Sequence, residues 1–139
     1  MPHTEPTQIM NDDPRTLRTL VARVSGLAEK HAVHSVMVGL AAPEGDLLFP
    51  EFVEYLKSAL RMEDGIFRMT RERAVIHLAD VDVATATGVI ERLMADFEQD
   101  FPALRGHTIS TRYFEVKPEA GAVTVKDVLK SVFGPPVFH

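Results

Sequence analysis

The chain has 139 residues, of which 45% are hydrophobic and 25% are charged, with a formal net charge of −5 and no cysteine. This length fits a single domain that can bury a hydrophobic core. The acidic balance argues against a general nucleic-acid binder, which needs a basic surface. The lack of cysteine excludes disulfides, thiolate catalysis and cysteine-ligated metals.

The N-terminal stretch MPHTEPTQIMNDDP is polar and lacks the basic and apolar regions of a signal peptide. Its composition predicts a flexible tail over residues 1–12, followed by a single domain over residues 13–139. No run of residues approaches the roughly 18 apolar positions that a membrane span needs. The expected location is therefore the cytoplasm, with no membrane partner.

The first part of the chain alternates between helical and strand patterns. Asp13 is a candidate helix cap, and Pro14 then stands in the first turn, where proline is tolerated. Apolar residues recur at helical spacing after it, at Leu17, Leu20, Val21, Val24, Leu27 and Ala28. The apolar run SVMVGL at 35–40 predicts a buried strand. A second helix is indicated by Phe49, Pro50, Phe52, Val53, Leu56 and Leu60.

A hairpin is predicted next, with strands Gly65–Met69 and Arg73–Ala79 joined by Thr70-Arg71-Glu72. Tight hairpin turns usually contain Gly, Asn or Asp, because these residues accept positive φ. The connection contains none of them. The hairpin therefore lacks the residues that normally form its turn.

The last part of the chain continues the alternation. Asp82 is a candidate cap for a third helix, and the segment HTISTRYFEV at 107–116 is rich in β-formers. Thr124, with Asp127 three residues later, resembles a capping box for a last helix. The order α-β-α-β-β-α-β-α predicts an α/β fold with a mixed central sheet, flanking helices and one antiparallel hairpin.

The segment LRMEDGIFRMTRERAVIHLADVDVATATGVIERLMADF resembles the middle of a GGDEF domain, the diguanylate cyclase family. Four residues fall in register with that family's helix end and following strand, namely Leu60, Arg61, Asp64 and Arg68. VIHLADVD matches its next strand and turn, and Glu91-Arg92-Leu93 matches its next helix. The closing strand, loop and helix are matched by TISTRYFEVKPEAGAVTVKDVLKSVF. The resemblance covers residues 13–133 and implies a GGDEF-like, nucleotide-cyclase-like fold.

The departures from the family concern its catalytic residues. The Gly-Gly-Asp/Glu-Glu-Phe signature falls on Thr70, Arg71, Glu72, Arg73 and Ala74, and only Glu72 keeps its type. In the family the two glycines let the backbone approach the nucleotide closely. Active cyclases also hold Mg²⁺ with an aspartate at the end of the first strand, yet no acid occurs from 35 to 43. The resemblance thus implies a degenerate hairpin that no longer contacts GTP, with no catalytic residue, cofactor or metal site.

A second motif of the family is retained. Its product-inhibition site is an Arg-x-x-Asp placed five residues before the signature, and Arg61 and Asp64 match it in type and register. The resemblance implies a cyclic di-GMP site that includes Arg61, Asp64 and Arg68. An arginine fork suits guanine O6 and N7, and a carboxylate accepts from guanine N–H groups. At positions i and i+3 near a helix end, Arg61 and Asp64 can face one ligand. Alternatively, they form an exposed ion pair of little energetic value.

Two other features have a structural explanation as an alternative to a functional one. A cluster able to receive phosphate is formed by Arg61, Arg68, Arg71 and Arg73. The acidic residues among them make a solvated mixed face the simpler interpretation. His77 alternates with Val75 and Ala79 along a predicted strand, and we interpret it as structural.

Two classes of function follow from the resemblance. The first is a catalytically inactive GGDEF-like signalling domain that binds cyclic di-GMP through Arg61 and Asp64. The second is a protein-interaction or scaffold module that has the same fold and binds no nucleotide. GGDEF domains commonly act as dimers or attached to sensors. The resemblance therefore implies a protein partner or a homodimer in both cases.

Overall fold

A computed structural model of the protein describes residues 12–102 and 109–134. Helices and strands alternate in these residues in the predicted order. The helices are α1 (Pro14–His31), α2 (Phe49–Ala59), α3 (Val83–Asp100) and α4 (Val125–Phe133). The strands are β1 (Ser35–Ala41), β2 (Gly65–Arg68), β3 (Arg73–Ala79) and β4 (Ser110–Val116), and a short 3₁₀ turn follows at Pro118–Ala120.

Three helices begin at the caps that the sequence predicts. The Asp13 carboxylate accepts a hydrogen bond from a backbone N–H of α1 at 2.9 Å, and Asp82 does the same for α3 at 2.8 Å. Thr124 and Asp127 form the reciprocal capping box at the start of α4. These bonds satisfy N–H groups that have no partner inside the helix. The predictions for these helix starts are confirmed.

The sheet has the strand order β2-β3-β1-β4, and all three strand pairs are antiparallel. The α/β fold class is confirmed, whereas the expected mixture of parallel and antiparallel pairs is wrong. Each helical crossover does join two parallel strands, but another strand lies between them. β3 separates β1 from β2, and β1 separates β3 from β4. This is the split β-α-β arrangement, which leaves every neighbouring pair antiparallel.

Helices cover both faces of the sheet. α2 and α3 pack on one face around Phe52, Ile90 and Phe97, while α1 and α4 pack on the other around Val21 and Val132. β1 is central and its first six residues are buried, which explains the continuous apolar run in its sequence.

Gly39 allows α4 to approach β1 closely. A Cβ atom on Gly39 would lie 2.5 Å from the Cβ of Val132, which is closer than such atoms can come. The backbone of β1 therefore forms part of the surface on which α4 packs.

Asp12, the last residue of the predicted tail, lies against the outer edge of β2. Its backbone N–H donates to the Arg68 carbonyl at 2.9 Å, and its carboxylate accepts from the Arg68 backbone N–H at 2.7 Å. Residues 1–11 of that tail, and residues 103–108 and 135–139 of the predicted domain, lie outside the described residues. Within the ranges described, no helix combines the length and the hydropathy needed to cross a bilayer.

Candidate functional site

The connection between β2 and β3 spans residues 69–72. The carbonyl of Arg73 closes it by accepting from the backbone N–H groups of Met69 at 3.0 Å and Thr70 at 3.1 Å. Among the described non-glycine residues, positive φ occurs at two positions, and both lie outside this hairpin. The connection therefore uses backbone regions that any L-residue adopts. This explains how the hairpin forms without Gly, Asn or Asp.

Glu72, the signature residue whose type is retained, ties the hairpin to the loop after β1. Its carbonyl accepts from the Ala42 N–H at 2.8 Å, and its side-chain Oε2 accepts from the Gly45 N–H at 3.1 Å. Gly45 has a φ of +80°, in the region that favours glycine. The Glu72 carboxylate thus has a structural partner in this protein.

The residues at the hairpin end of the sheet do not fit the metal ions that active diguanylate cyclases hold. Divalent magnesium and calcium require several convergent oxygen ligands. β1 ends in Ala41 and is followed by Ala42 and Pro43, which contribute no side-chain oxygen. The described part of the chain contains no group of three His, Cys, Asp or Glu side chains able to hold a metal ion.

The other signature residues have separate surroundings. Thr70 and Arg71 are exposed, and Ala74 is buried in the sheet. The Arg73 guanidinium lies over the ring of Phe133, 5.2 Å from its centroid, in a cation–π contact. The arginines near the hairpin therefore do not converge on one point.

Arg61 and Asp64 lie together in the turn between α2 and β2. The Asp64 carboxylate accepts from Arg61 Nε at 3.1 Å, Arg61 Nη2 at 3.0 Å and the Arg61 backbone N–H at 3.1 Å. It also accepts from the backbone N–H of Ala79 at 2.9 Å. The Asp64 side chain is 2% exposed, and that of Arg61 is 49% exposed. The carboxylate thus points inward and fastens the turn to the end of β3.

Arg61 has few donors left for a ligand. Besides its bond to Asp64, Nη2 donates to the Ala79 carbonyl at 2.6 Å, and Nη1 lies 3.3 Å from Oε2 of Glu63. The hydrogen bonds to Asp64 raise the pKa of the Arg61 guanidinium above its ordinary value. The two side chains therefore face each other, and the Asp64 carboxylate also satisfies the N–H group at the end of β3.

Arg68 is not brought to the same place. It lies at the opposite end of β2, is 6% exposed, and forms an ion pair with Glu54 of α2. The hydrogen bond from Arg68 holds the pKa of the Glu54 carboxyl below its ordinary value. Arg68 therefore contributes to the packing of α2 on β2 and is separated from the Arg61–Asp64 pair.

A cavity of about 170 Å³ lies beside Arg61, between the end of α2 and α3. Its walls are mostly apolar, and Arg92 of α3 lies on its border together with Arg61 and Asp64. The apolar lining comes from Ala59, Leu60, Leu78, Val81, Val89 and Leu93. Sequence analysis did not select Arg92 as a site residue, although it lies in the matched segment Glu91-Arg92-Leu93. Only the packing of α3 beside α2 brings it to the cavity that Arg61 borders.

A shallower cavity of about 380 Å³ lies on the other side of Arg61. Residues of α1, α2 and β2 line it, including Thr16, Lys57 and Gly65. Arg61 and Asp64 border both cavities and separate the apolar one from this more polar one.

No protein-family model and no curated protein matches the chain. Two solved structures of GGDEF domains are similar to it. One is a microbial GGDEF domain with a novel mode of interaction with cyclic di-GMP, at a TM-score of 0.67 and 16% identity over 88% of this chain and 82% of that chain. The other is the GGDEF domain of DgcB from Caulobacter crescentus in complex with cyclic di-GMP. Its TM-score is 0.63, with 10% identity over 94% of this chain and 88% of that chain. The chain therefore has the GGDEF-like fold that its sequence resemblance implied.

Proposed function

We propose that this GGDEF-like domain is a catalytically inactive signalling receptor that binds cyclic di-GMP beside Arg61. The observation that carries the proposal is the apolar cavity that Arg61 and Arg92 border. Cyclic di-GMP combines flat purine faces with two phosphodiester charges. Apolar walls suit the former, and arginine forks suit phosphate oxygens or the acceptor edge of guanine. Both similar GGDEF domains are described with this ligand.

In this proposal Arg61 and Asp64 have different roles. Arg61 meets the ligand through Nη1, because Asp64 and Ala79 already engage Nε and Nη2. Asp64 orients the guanidinium and does not contact guanine. Arg92 supplies the second positive charge from α3. Arg68 is left out of the ligand site, since it is buried against Glu54 at the far end of β2.

A second candidate is a protein-interaction module, or a homodimer, that binds no nucleotide. The inward orientation of Asp64 favours it, because a carboxylate with four donors from its own chain explains the motif without any ligand. Calorimetric titration with cyclic di-GMP distinguishes the two candidates. Binding supports the receptor, whereas the absence of heat at high ligand concentration supports the interaction module.

Arg92→Ala should weaken cyclic di-GMP binding about 5- to 150-fold, since a good arginine contact discriminates by about 1–3 kcal/mol. Arg61→Ala should weaken it by a similar factor, and Arg61→Lys should recover little, because an ammonium cannot replace the planar fork. Calorimetry on the wild type and these variants provides the measurement, with thermal melts to confirm folding.

Arg71→Ala is the matched control, because it removes one exposed arginine at the hairpin, at the other end of the sheet. It should leave the dissociation constant unchanged. If Arg92→Ala and Arg71→Ala bind equally well, the ligand does not occupy the cavity.

The absence of cyclase activity is proposed from the hairpin. Thr70 and Arg71 place side chains where the family has glycines, and the Glu72 carboxylate is engaged by Gly45. We expect no cyclic di-GMP from GTP with Mg²⁺ or Mn²⁺, as measured by chromatography against a no-protein control. Changing Thr70 and Arg71 to Gly should not restore turnover, because β1 still ends without a carboxylate. Product above the control from either protein contradicts the proposal.

A further inference from the structure

The donors of Arg61 are divided unequally between its neighbours. A guanidinium has five N–H groups in one plane. Three of them, on Nε and Nη2, point to the Asp64 carboxylate and the Ala79 carbonyl. The two on Nη1 remain, and Oε2 of Glu63 lies 3.3 Å from that nitrogen. Glu63 therefore contacts the part of Arg61 that is still able to bind an anion.

The two acidic neighbours of Arg61 differ in how firmly they are held. The Asp64 side chain is 2% exposed and also bonded to the backbone of β3. The Glu63 side chain is 54% exposed and contacts Arg61 through one oxygen. Exposed ion pairs contribute about 0–1 kcal/mol, so the Glu63 contact breaks easily while the Asp64 contact persists.

We propose that the Glu63 carboxylate competes with anionic ligands for Nη1 of Arg61 and thereby lowers the affinity of this site for them. The inference rests on the proposed function, because it concerns the ligand-binding end of the same arginine. A phosphate or a guanine acceptor that approaches Nη1 has to displace the Glu63 carboxylate. That carboxylate also repels a ligand that carries two negative charges. Glu63 thus restricts binding to anions present at high enough concentration to replace it.

Glu63→Gln should bind cyclic di-GMP about two- to fivefold more tightly than the wild type, the change expected for removal of one exposed ion pair. The difference should shrink as salt is raised, because salt screens charges at the surface. Calorimetry at low and at high ionic strength measures both effects. Since Glu63 is exposed, the thermal melt of the variant should match that of the wild type.

Glu44→Gln is the matched control. It removes the same charge from an exposed glutamate in the loop after β1, at the opposite end of the sheet from Arg61. Its affinity should equal that of the wild type. Equal or weaker binding by Glu63→Gln overturns the proposal, and weaker binding would mean that Glu63 orients Arg61 for the ligand.

A second experiment distinguishes a failure of the Glu63 inference from a failure of the receptor proposal. If neither the wild type nor Glu63→Gln binds cyclic di-GMP, the receptor proposal fails and inorganic pyrophosphate becomes the probe. Its titration is followed by the NMR signal of the Arg61 Nε–H group. A shift that saturates at lower pyrophosphate in Glu63→Gln than in the wild type supports the competitor role. No shift in either protein, or the same midpoint in both, overturns it.

Discussion

Asp64→Asn should lower the free energy of unfolding by about 2–4 kcal/mol. The Asp64 carboxylate accepts four hydrogen bonds, three from Arg61 and one from the Ala79 backbone, and its side chain is 2% exposed. An amide offers one acceptor oxygen, and its NH₂ group would face donors. Bonds to a charged acceptor are worth about 1.5–3 kcal/mol, and buried donors left unpaired are costly. Urea unfolding monitored by circular dichroism measures the change.

Asp96→Asn is the matched control for Asp64→Asn. Asp96 is an exposed aspartate on α3, and the same substitution there should change the free energy of unfolding by less than about 0.5 kcal/mol. If the two variants are equally stable, the hydrogen bonds of Asp64 contribute little to the fold, and its side chain can change rotamer at little cost. In that case it would be free to turn toward a ligand, as the sequence motif suggested.

The sequence predicted the features that depend on neighbouring residues. The caps at Asp13, Asp82 and Thr124 were identified because each acts on N–H groups two or three positions away. The element order followed from hydrophobic periodicity, which is also local. The direction of the strand pairs was not accessible in the same way. It depends on which strand is inserted between two others, and no local pattern contains that information.

The candidate site was predicted only in part, for the same reason. The contact between Arg61 and Asp64 spans three positions and could be expected from the sequence. The backbone N–H group that donates to the buried Asp64 carboxylate belongs to Ala79, which is distant in sequence. Arg92 reaches the cavity through the packing of α3. Arg68 was assigned to the site by its position in the resemblance. Its burial against Glu54 depends on how α2 crosses β2.

His77 should make the protein less stable as the pH falls below neutrality. It lies in the middle of β3, between Met37 of β1 and Gly65 of β2, and is 1% exposed. Neither ring nitrogen has a hydrogen-bond partner among the described residues. Burial lowers the pKa of His77 to about 4 from its ordinary 6.5, although the nearby Asp64 opposes the shift. The folded state therefore favours the neutral ring.

The sign of the effect follows from proton binding. Between pH 6.5 and 4 the unfolded chain binds a proton at His77 and the folded protein does not. The free energy of unfolding therefore decreases as the pH decreases through this range. The contribution of the neutral His77 ring to the free energy of unfolding is fully present above about pH 6.5 and is lost progressively down to about pH 4. A pKa difference of that size corresponds to about 3 kcal/mol, at 1.36 kcal/mol per unit. This is a large part of the 5–15 kcal/mol typical of a domain.

Urea unfolding at several pH values from 7.5 to about 5 tests this expectation, because ordinary carboxyl groups, with pKa values of about 3.9 and 4.3, are still mostly ionised in that range. His77→Met, which fills a similar volume without an ionisable group, should remove most of the decline. His31→Leu is the control, because His31 is exposed and its loss should leave the decline intact. If His77→Met loses stability with falling pH as steeply as the wild type, acid sensitivity arises elsewhere. The buried ring would then have to be satisfied by water or by a rearranged neighbour, because a buried imidazolium without a partner is strongly unfavourable.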